Sequence, residues 1–249
     1  MSMLIAKLPL QNHHRIALEQ AVEYANNIVE PTGIVLSGSI VRGNPDASSD
    51  LDIVILHKGS WRRRIQGWFN GTPAELFFNS RDWLEYCIHD EAAHGRPVMA
   101  HMLSSGFLLQ DSDGRMAELI NTAKFVLSQG PGLSTADLLR ERYAAACKVE
   151  DALDFHGVDT GDARQALALA VDAIVKYFYL MRNCHLPRPK ERLSLLAETA
   201  PETAGLLSLA LSEMPSEALV ALKQASKKVL GVSGFFEWDS GWDNTLPPA

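Results

Sequence analysis

The chain has 249 residues, of which 47% are apolar and 21% charged, and its net charge is −7. That length allows one large domain or two ordinary ones, and the composition excludes a disordered or membrane-embedded class. The acidic balance argues against a broad basic face for nucleic-acid backbones and suits a small cationic partner.

Three scattered cysteines, Cys87, Cys147 and Cys184, show no paired spacing. They read as free thiols in a reducing compartment. The N-terminal residues Met1–Arg15 lack the long apolar core of an export signal, so a cytoplasmic location is expected.

In chain order, Gln11–Glu30 reads as a helix with Ile16, Leu18, Ala21, Val22, Ala25 and Ile28 on a mixed apolar face. Pro31 and Gly33 end it. Ile34–Ser37 is a short strand, and Leu51–Leu56 a second one rich in β-branched residues. Ser60–Gly71 (SWRRRIQGWFNG) reads as a polar, basic helix or loop. Ala74–Phe78 is a third strand candidate. Arg81–Gly95 and Val98–Gly106 look helical, and Phe107–Gly114 reads as a short edge strand with a turn.

Beyond Gly130–Leu133 the texture changes, and helical spacing replaces strand patterns. Ser134 with Asp137 is a helix start of the capping-box kind. Leu138, Leu139, Tyr143, Ala146, Val149 and Leu153 form the helix's apolar row. A second long helix is expected over Asp162–Cys184, followed after Leu186–Lys190 by shorter ones at Glu191–Glu198, Glu202–Glu213 and Ser216–Leu230. The expected fold is α+β, with a small mixed-sheet core domain over residues 1–130 and an all-α helical bundle over 131–249.

The segment Val35–Leu56 (VLSGSIVRGNPDASSDLDIVIL) carries the chemistry. Side chains alternate across a strand, so Asp50 and Asp52 share one face while Leu51, Ile53 and Ile55 point to the other. Two adjacent carboxylates repel unless a cation sits between them, and Mg²⁺ is the usual ion where phosphates complete the shell. A pair of solvated aspartates at a strand start is the plainer alternative. Gly38 and Ser39, at the end of the preceding strand, offer amides and a hydroxyl for an anion, and Arg42 offers a guanidinium. Taken alone, Gly38-Ser39 is equally an ordinary tight turn.

Together these residues resemble the signature of the polymerase-beta-like nucleotidyltransferase superfamily. The signature is an apolar residue, Gly, Gly or Ser, a spacer, then Asp, apolar, Asp, apolar. Here it runs over Leu36/Ser37, Gly38, Ser39, Asp50, Leu51, Asp52 and Ile53, with Ser37 a small departure before the glycine. The segment looks most like the aminoglycoside and lincosamide adenylyltransferases and the minimal nucleotidyltransferases. The resemblance implies transfer of a nucleoside monophosphate, AMP from ATP, to a hydroxyl of a small molecule, with Asp50 and Asp52 holding Mg²⁺. It also implies a third carboxylate, for which Glu75 is the candidate, as metal ligand or as general base; a strand-edge glutamate facing water is the plainer alternative. Lys190 resembles a lysine of the helical domain that reaches the triphosphate; a surface lysine after a Pro-rich turn is the plainer alternative.

An aminoglycoside-like cation is the expected acceptor, bound between Glu75 and the helical domain, where Glu150 faces a cleft or forms a buried pair. Nucleic acid and membrane are not expected partners. The competing classes are a toxin–antitoxin transferase acting on protein or tRNA, and a catalytically silent nucleotide-binding module. Arg62, Arg63 and Arg64 steer phosphates or form a solvated helix face. Lys176 is a weaker candidate, and His13, His14, His94 and His101 form no ligand set. Phe235–Asn244 lines a pocket or tucks against the helices.

Overall fold

The computed structural model describes residues 5, 8, 10–41, 49–212 and 215–239. The chain divides into two compact units, Met1–Gly130 and Pro131–Ala249. Mixed strands precede a helical region, so the fold is α+β. Among the described residues no helix is long and apolar enough to cross a membrane.

The first unit opens with α1 (Asn12–Ile28), which buries Ala17, Leu18, Ala21, Val22 and Ala25 at helical spacing. Strands β1 (Gly33–Ser37), β2 (Leu51–Leu56), β3 (Arg63–Phe69) and β4 (Thr72–Asn79) follow. Next come α2 (Arg81–Ala93), α3 (Val98–Ser105), β5 (Phe107–Asp111) and α4 (Arg115–Gln129). The five strands are ordered β3-β4-β2-β1-β5. β2 and β4 are parallel and the other pairings antiparallel. β5 is the edge strand expected from the sequence.

Alternation sorts the sheet's two faces. Ile34, Leu36, Leu51, Ile53, Ile55, Leu76 and Phe78 pack with α1. Val35, Val54 and Leu56 pack on the other face with Leu84, Ile88, Leu103, Met116 and Leu119 from α2, α3 and α4. The central strands are therefore apolar on both sides, as strands covered by helices on both faces must be.

Two elements differ from the expectation. Residues 60–71 are not a helix or plain loop, because β3 forms there and pairs antiparallel with β4. Asn70 (φ 45°) and Gly71 (φ 74°) are both left-handed, the geometry of a two-residue hairpin turn, and Asn-Gly is its strongest sequence signal. Residues 115–129, for which no element is expected above, form α4 with Met116, Leu119, Ala123 and Val126 buried. The Asp111 carboxylate accepts from the Met116 and Ala117 N–H groups at 3.3 and 3.0 Å and so starts that helix.

The second unit contains α5 (Thr135–Leu153), α6 (Gly161–Leu180), a 3₁₀ turn (Pro189–Glu191), α7 (Arg192–Thr199), α8 (Pro201–Ser212) and α9 (Pro215–Leu230). The Ser134 hydroxyl accepts from the Asp137 N–H at 3.1 Å and donates to the Asp137 carboxylate at 2.6 Å. Val149, Ile174, Phe178, Leu196, Leu207 and Leu222 lie at the centre of one helical core. Lys176 is paired with Glu141 at 2.7 Å, joining α6 to α5. Phe236 is buried, and Trp238 lies 4.8 Å from Tyr143 of α5. The described part of the C-terminal aromatic segment thus tucks against the helices; residues 240–244 lie outside the described residues.

Candidate active site

Strand register builds the site. Ser37 of β1 is opposite Asp52 of β2, Asp52 is opposite Glu75 of β4, and Glu75 is opposite Gln66 of β3. Directly paired residues point to the same face. Ser37, Asp52, Glu75 and Gln66 therefore form one row across four strands. Leu51 and Ile53, the neighbours of Asp52, are fully buried on the opposite face, which pins the orientation of the row.

The turn after β1 closes onto this row. Gly38 has φ +96°, a conformation that favours glycine. A Cβ at that position would stand 3.0 Å from Asp52 Oδ2 and 3.4 Å from the Asp50 carbonyl oxygen. Only a residue without a side chain lets the backbone come so near the carboxylate. The Ser39 hydroxyl donates to the Ser49 hydroxyl at 3.0 Å, tying together the two ends of the loop that joins β1 to β2. Ile40 is buried beside it and anchors the turn in the α1-side core. Arg42 lies outside the described residues.

Glu75 is held from the edge strand. Gln66 donates to one of its oxygens and Arg64 to the other. The Arg64 guanidinium also lies 4.8 Å from the centre of the Phe77 ring. Among the described residues, no set of three His, Cys, Asp or Glu side chains is grouped to hold a metal ion. The Glu75 carboxylate is engaged by β3 and lies opposite Asp52 in the row. Gln66 is a site residue not expected from the sequence, and Arg64, expected to steer phosphates or face solvent, instead bonds to Glu75. Once residues 63–69 are a strand, alternation sends Arg64 and Gln66 to the face of Glu75 and Arg63 to the other.

The remaining candidates have surroundings of their own. Arg62 stacks over Trp83 at 5.0 Å. His13 and His14 stack on one another, and the His94 ring nitrogen is 2.7 Å from the Asp90 carbonyl oxygen. Lys190 is exposed in the 3₁₀ turn of the second unit, and Glu150 is half-buried in α5. A cavity of about 540 Å³ in the second unit is lined by Phe155, Val158, Arg164, Leu167 and Leu219, and no expected site residue lines it.

Residues 18–89 match the family model of a nucleotidyltransferase domain. The matched segment runs from within α1 into α2 and contains the whole row, the Gly38 turn and the β3–β4 hairpin. It supports a nucleotidyltransferase as the superfamily and nucleotidyl transfer as the chemistry. No curated protein matches the chain. Among solved structures, the chain is similar to a nucleotidyltransferase-like protein from Exiguobacterium sibiricum 255-15. The identity is 12% and the TM-score 0.49, over 86% of this chain and 73% of that one.

Proposed function

We propose that the protein transfers AMP from ATP to a hydroxyl group of a small molecule, with Asp50 and Asp52 holding Mg²⁺. The observation that carries this reading is the approach of the Gly38 turn to Asp52, where a Cβ would fill the space 3.0 Å from the carboxylate oxygen. The donor set fits the ion, because carboxylate oxygens are the ligands a hard divalent cation takes. Asp50 and Asp52 would hold the ion, which would supply positive charge to offset the charge that develops on the phosphate oxygens during in-line displacement.

The chain's own residues do the rest. The Gly38–Ser39 turn presents backbone amides to the phosphates beside the leaving oxygen. The acceptor oxygen bonds to the α-phosphorus as the bond from that phosphorus to the bridging oxygen breaks. Pyrophosphate departs with the electron pair. The hydroxyl proton passes to Glu75, which Arg64 and Gln66 hold in the row beside Asp52. Each carboxylate oxygen has a second lone pair, so those two hydrogen bonds leave room for the proton. Arg42 and Lys190 are carried as further phosphate ligands on the resemblance alone.

The acceptor we favour is a hydroxylated, aminoglycoside-like cation, supported by the net charge of −7 and by the resemblance of the Gly38–Ile53 segment. Acidic surface raises the local concentration of cationic molecules. The test is pyrophosphate release from ATP and Mg²⁺ with aminoglycosides, neutral sugars, nucleotides and tRNA offered in parallel. Labelling of a small cation supports the reading. Labelling of tRNA or protein alone replaces it with the toxin–antitoxin alternative.

A further inference from the structure

From the order of groups across the sheet, we infer that Trp68 is the floor of the acceptor subsite and takes a polyhydroxylated ring stacked on its indole. The inference rests on the nucleotidyl-transfer reading. In-line displacement requires the attacking and leaving oxygens to lie on opposite sides of the phosphorus. The pyrophosphate side is the Gly38–Ser39 turn after β1, and the carboxylate pair belongs to β2. With strand order β3-β4-β2-β1, the acceptor must then approach from β4 and β3. Adjacent strands are about 4.8 Å apart, so Gln66 stands about 10 Å from Asp52 on that side.

Trp68 occupies this approach. It is two residues beyond Gln66 and so shares the face of Glu75 and Asp52. It pairs with Pro73, two residues before Glu75 on β4. β4 runs parallel to β2, with Glu75 opposite Asp52, so that end of β4 is the end of the sheet where Asp50 enters β2. The opposite end of the same face is different. There Phe77, Val54 and Leu56 lie against the core of α2, α3 and α4. At the other end, Trp68 is 76% exposed.

A single exposed aromatic residue needs no explanation by itself. Its neighbours give this one a direction. The hairpin face offers an indole, the Gln66 amide and the Glu75 carboxylate in sequence, ending beside the metal-binding aspartates. An apolar plate next to hydrogen-bonding groups suits a ring with C–H bonds on one face and hydroxyls at its edge. Such a ring, seated on Trp68, directs a hydroxyl toward Glu75, the group that takes its proton.

The test uses the full chain with Mg²⁺ and a non-hydrolysable ATP analogue. Binding of glucosamine and methyl glucoside is followed by saturation-transfer NMR, with open-chain sorbitol as control. Wild type should bind both rings through their C–H faces and ignore sorbitol. Trp68→Ala should bind them about tenfold more weakly, within the range of stacking on an aromatic side chain, and Trp68→Phe should recover most of the loss. Affinity for the ATP analogue, by calorimetry, should be the same in all three proteins.

Equal ring binding by wild type and Trp68→Ala overturns the inference, as does wild type that binds neither ring. A parallel loss of ATP-analogue affinity in Trp68→Ala also overturns it, because the indole would then belong to the nucleotide. Failure of the underlying reading looks different: wild type does not bind the analogue, or Asp52→Asn binds it equally well.

Discussion

Gly38→Ala separates the two demands that the turn makes on its glycine. The first is conformational, since φ is +96° and a side chain there is strained. A non-glycine residue held in such a region costs about 1–3 kcal/mol. The second is steric, because the added Cβ meets Asp52 Oδ2 at 3.0 Å and the Asp50 carbonyl at 3.4 Å. Either the turn lifts or the carboxylate rotates away, and both displace the groups that would face the triphosphate.

Gly71→Ala is the control for the first demand alone, because φ is +74° there and nothing lies within 4 Å of the added Cβ. Its expected cost is about 1–2 kcal/mol. A change of that size lowers the melting temperature of a protein of this length by about 2–4 °C per kcal/mol. Both variants should therefore melt a few degrees lower by calorimetry. Only Gly38→Ala should also lose MgATP affinity, by about 1.5–3 kcal/mol, the worth of a hydrogen bond to a charged group. Equal MgATP affinity in Gly38→Ala and wild type would refute the argument that this turn cradles phosphate.

Two further outcomes follow from the geometry. Arg64→Ala removes the cation from Glu75 and should let that carboxylate join Asp50 and Asp52. Mn²⁺ titrated without nucleotide should then bind several-fold more tightly, and unchanged or weaker binding contradicts the role given to Arg64. Stability should also fall with acid. Burial holds the imidazoles of His57 and His14 below their ordinary pKa, with the neighbouring His13 adding to the effect on His14. The unfolded chain therefore takes up protons first as pH drops below about 6.5, and the folded state is penalised. Urea unfolding should give a lower midpoint at pH 5.5 than at 7.5, with a smaller difference in His57→Gln; a flat profile contradicts this assignment.

The most legible part of the site was the part written in local chemistry. Leu51–Leu56 alternates apolar residues with Asp52, so strand, face and carboxylate are readable together, and Leu51, Ile53 and Ile55 are indeed fully buried. Ser134 and Asp137 likewise announce the start of α5. The edge strand was obscured by its own exposure. In β3 only Ile65, Gly67 and Phe69 are even half-buried, and the three consecutive arginines look like a solvated helix. The legible clue was Asn70-Gly71, whose left-handed turn forces the chain back on itself as a hairpin. The partners of Glu75 could not be read without that register, because Gln66 meets Glu75 across a strand pairing and not along the chain. α4 escaped notice for a similar reason. Its N-terminus is capped by Asp111, several residues back on β5, and not by a residue at the cap position itself.

On the proposed reading, the aspartates at the start of β2 hold the metal and nucleotide. The most direct measurement is calorimetric titration of Asp52→Asn with MgATP, beside its thermal unfolding curve. Asp52 is half-exposed and its strand is anchored by fully buried Leu51 and Ile53, so the fold should survive the substitution. The variant should melt close to wild type and lose both Mg²⁺-dependent ATP binding and pyrophosphate release. A folded Asp52→Asn variant that binds MgATP and releases pyrophosphate as wild type does would contradict that reading.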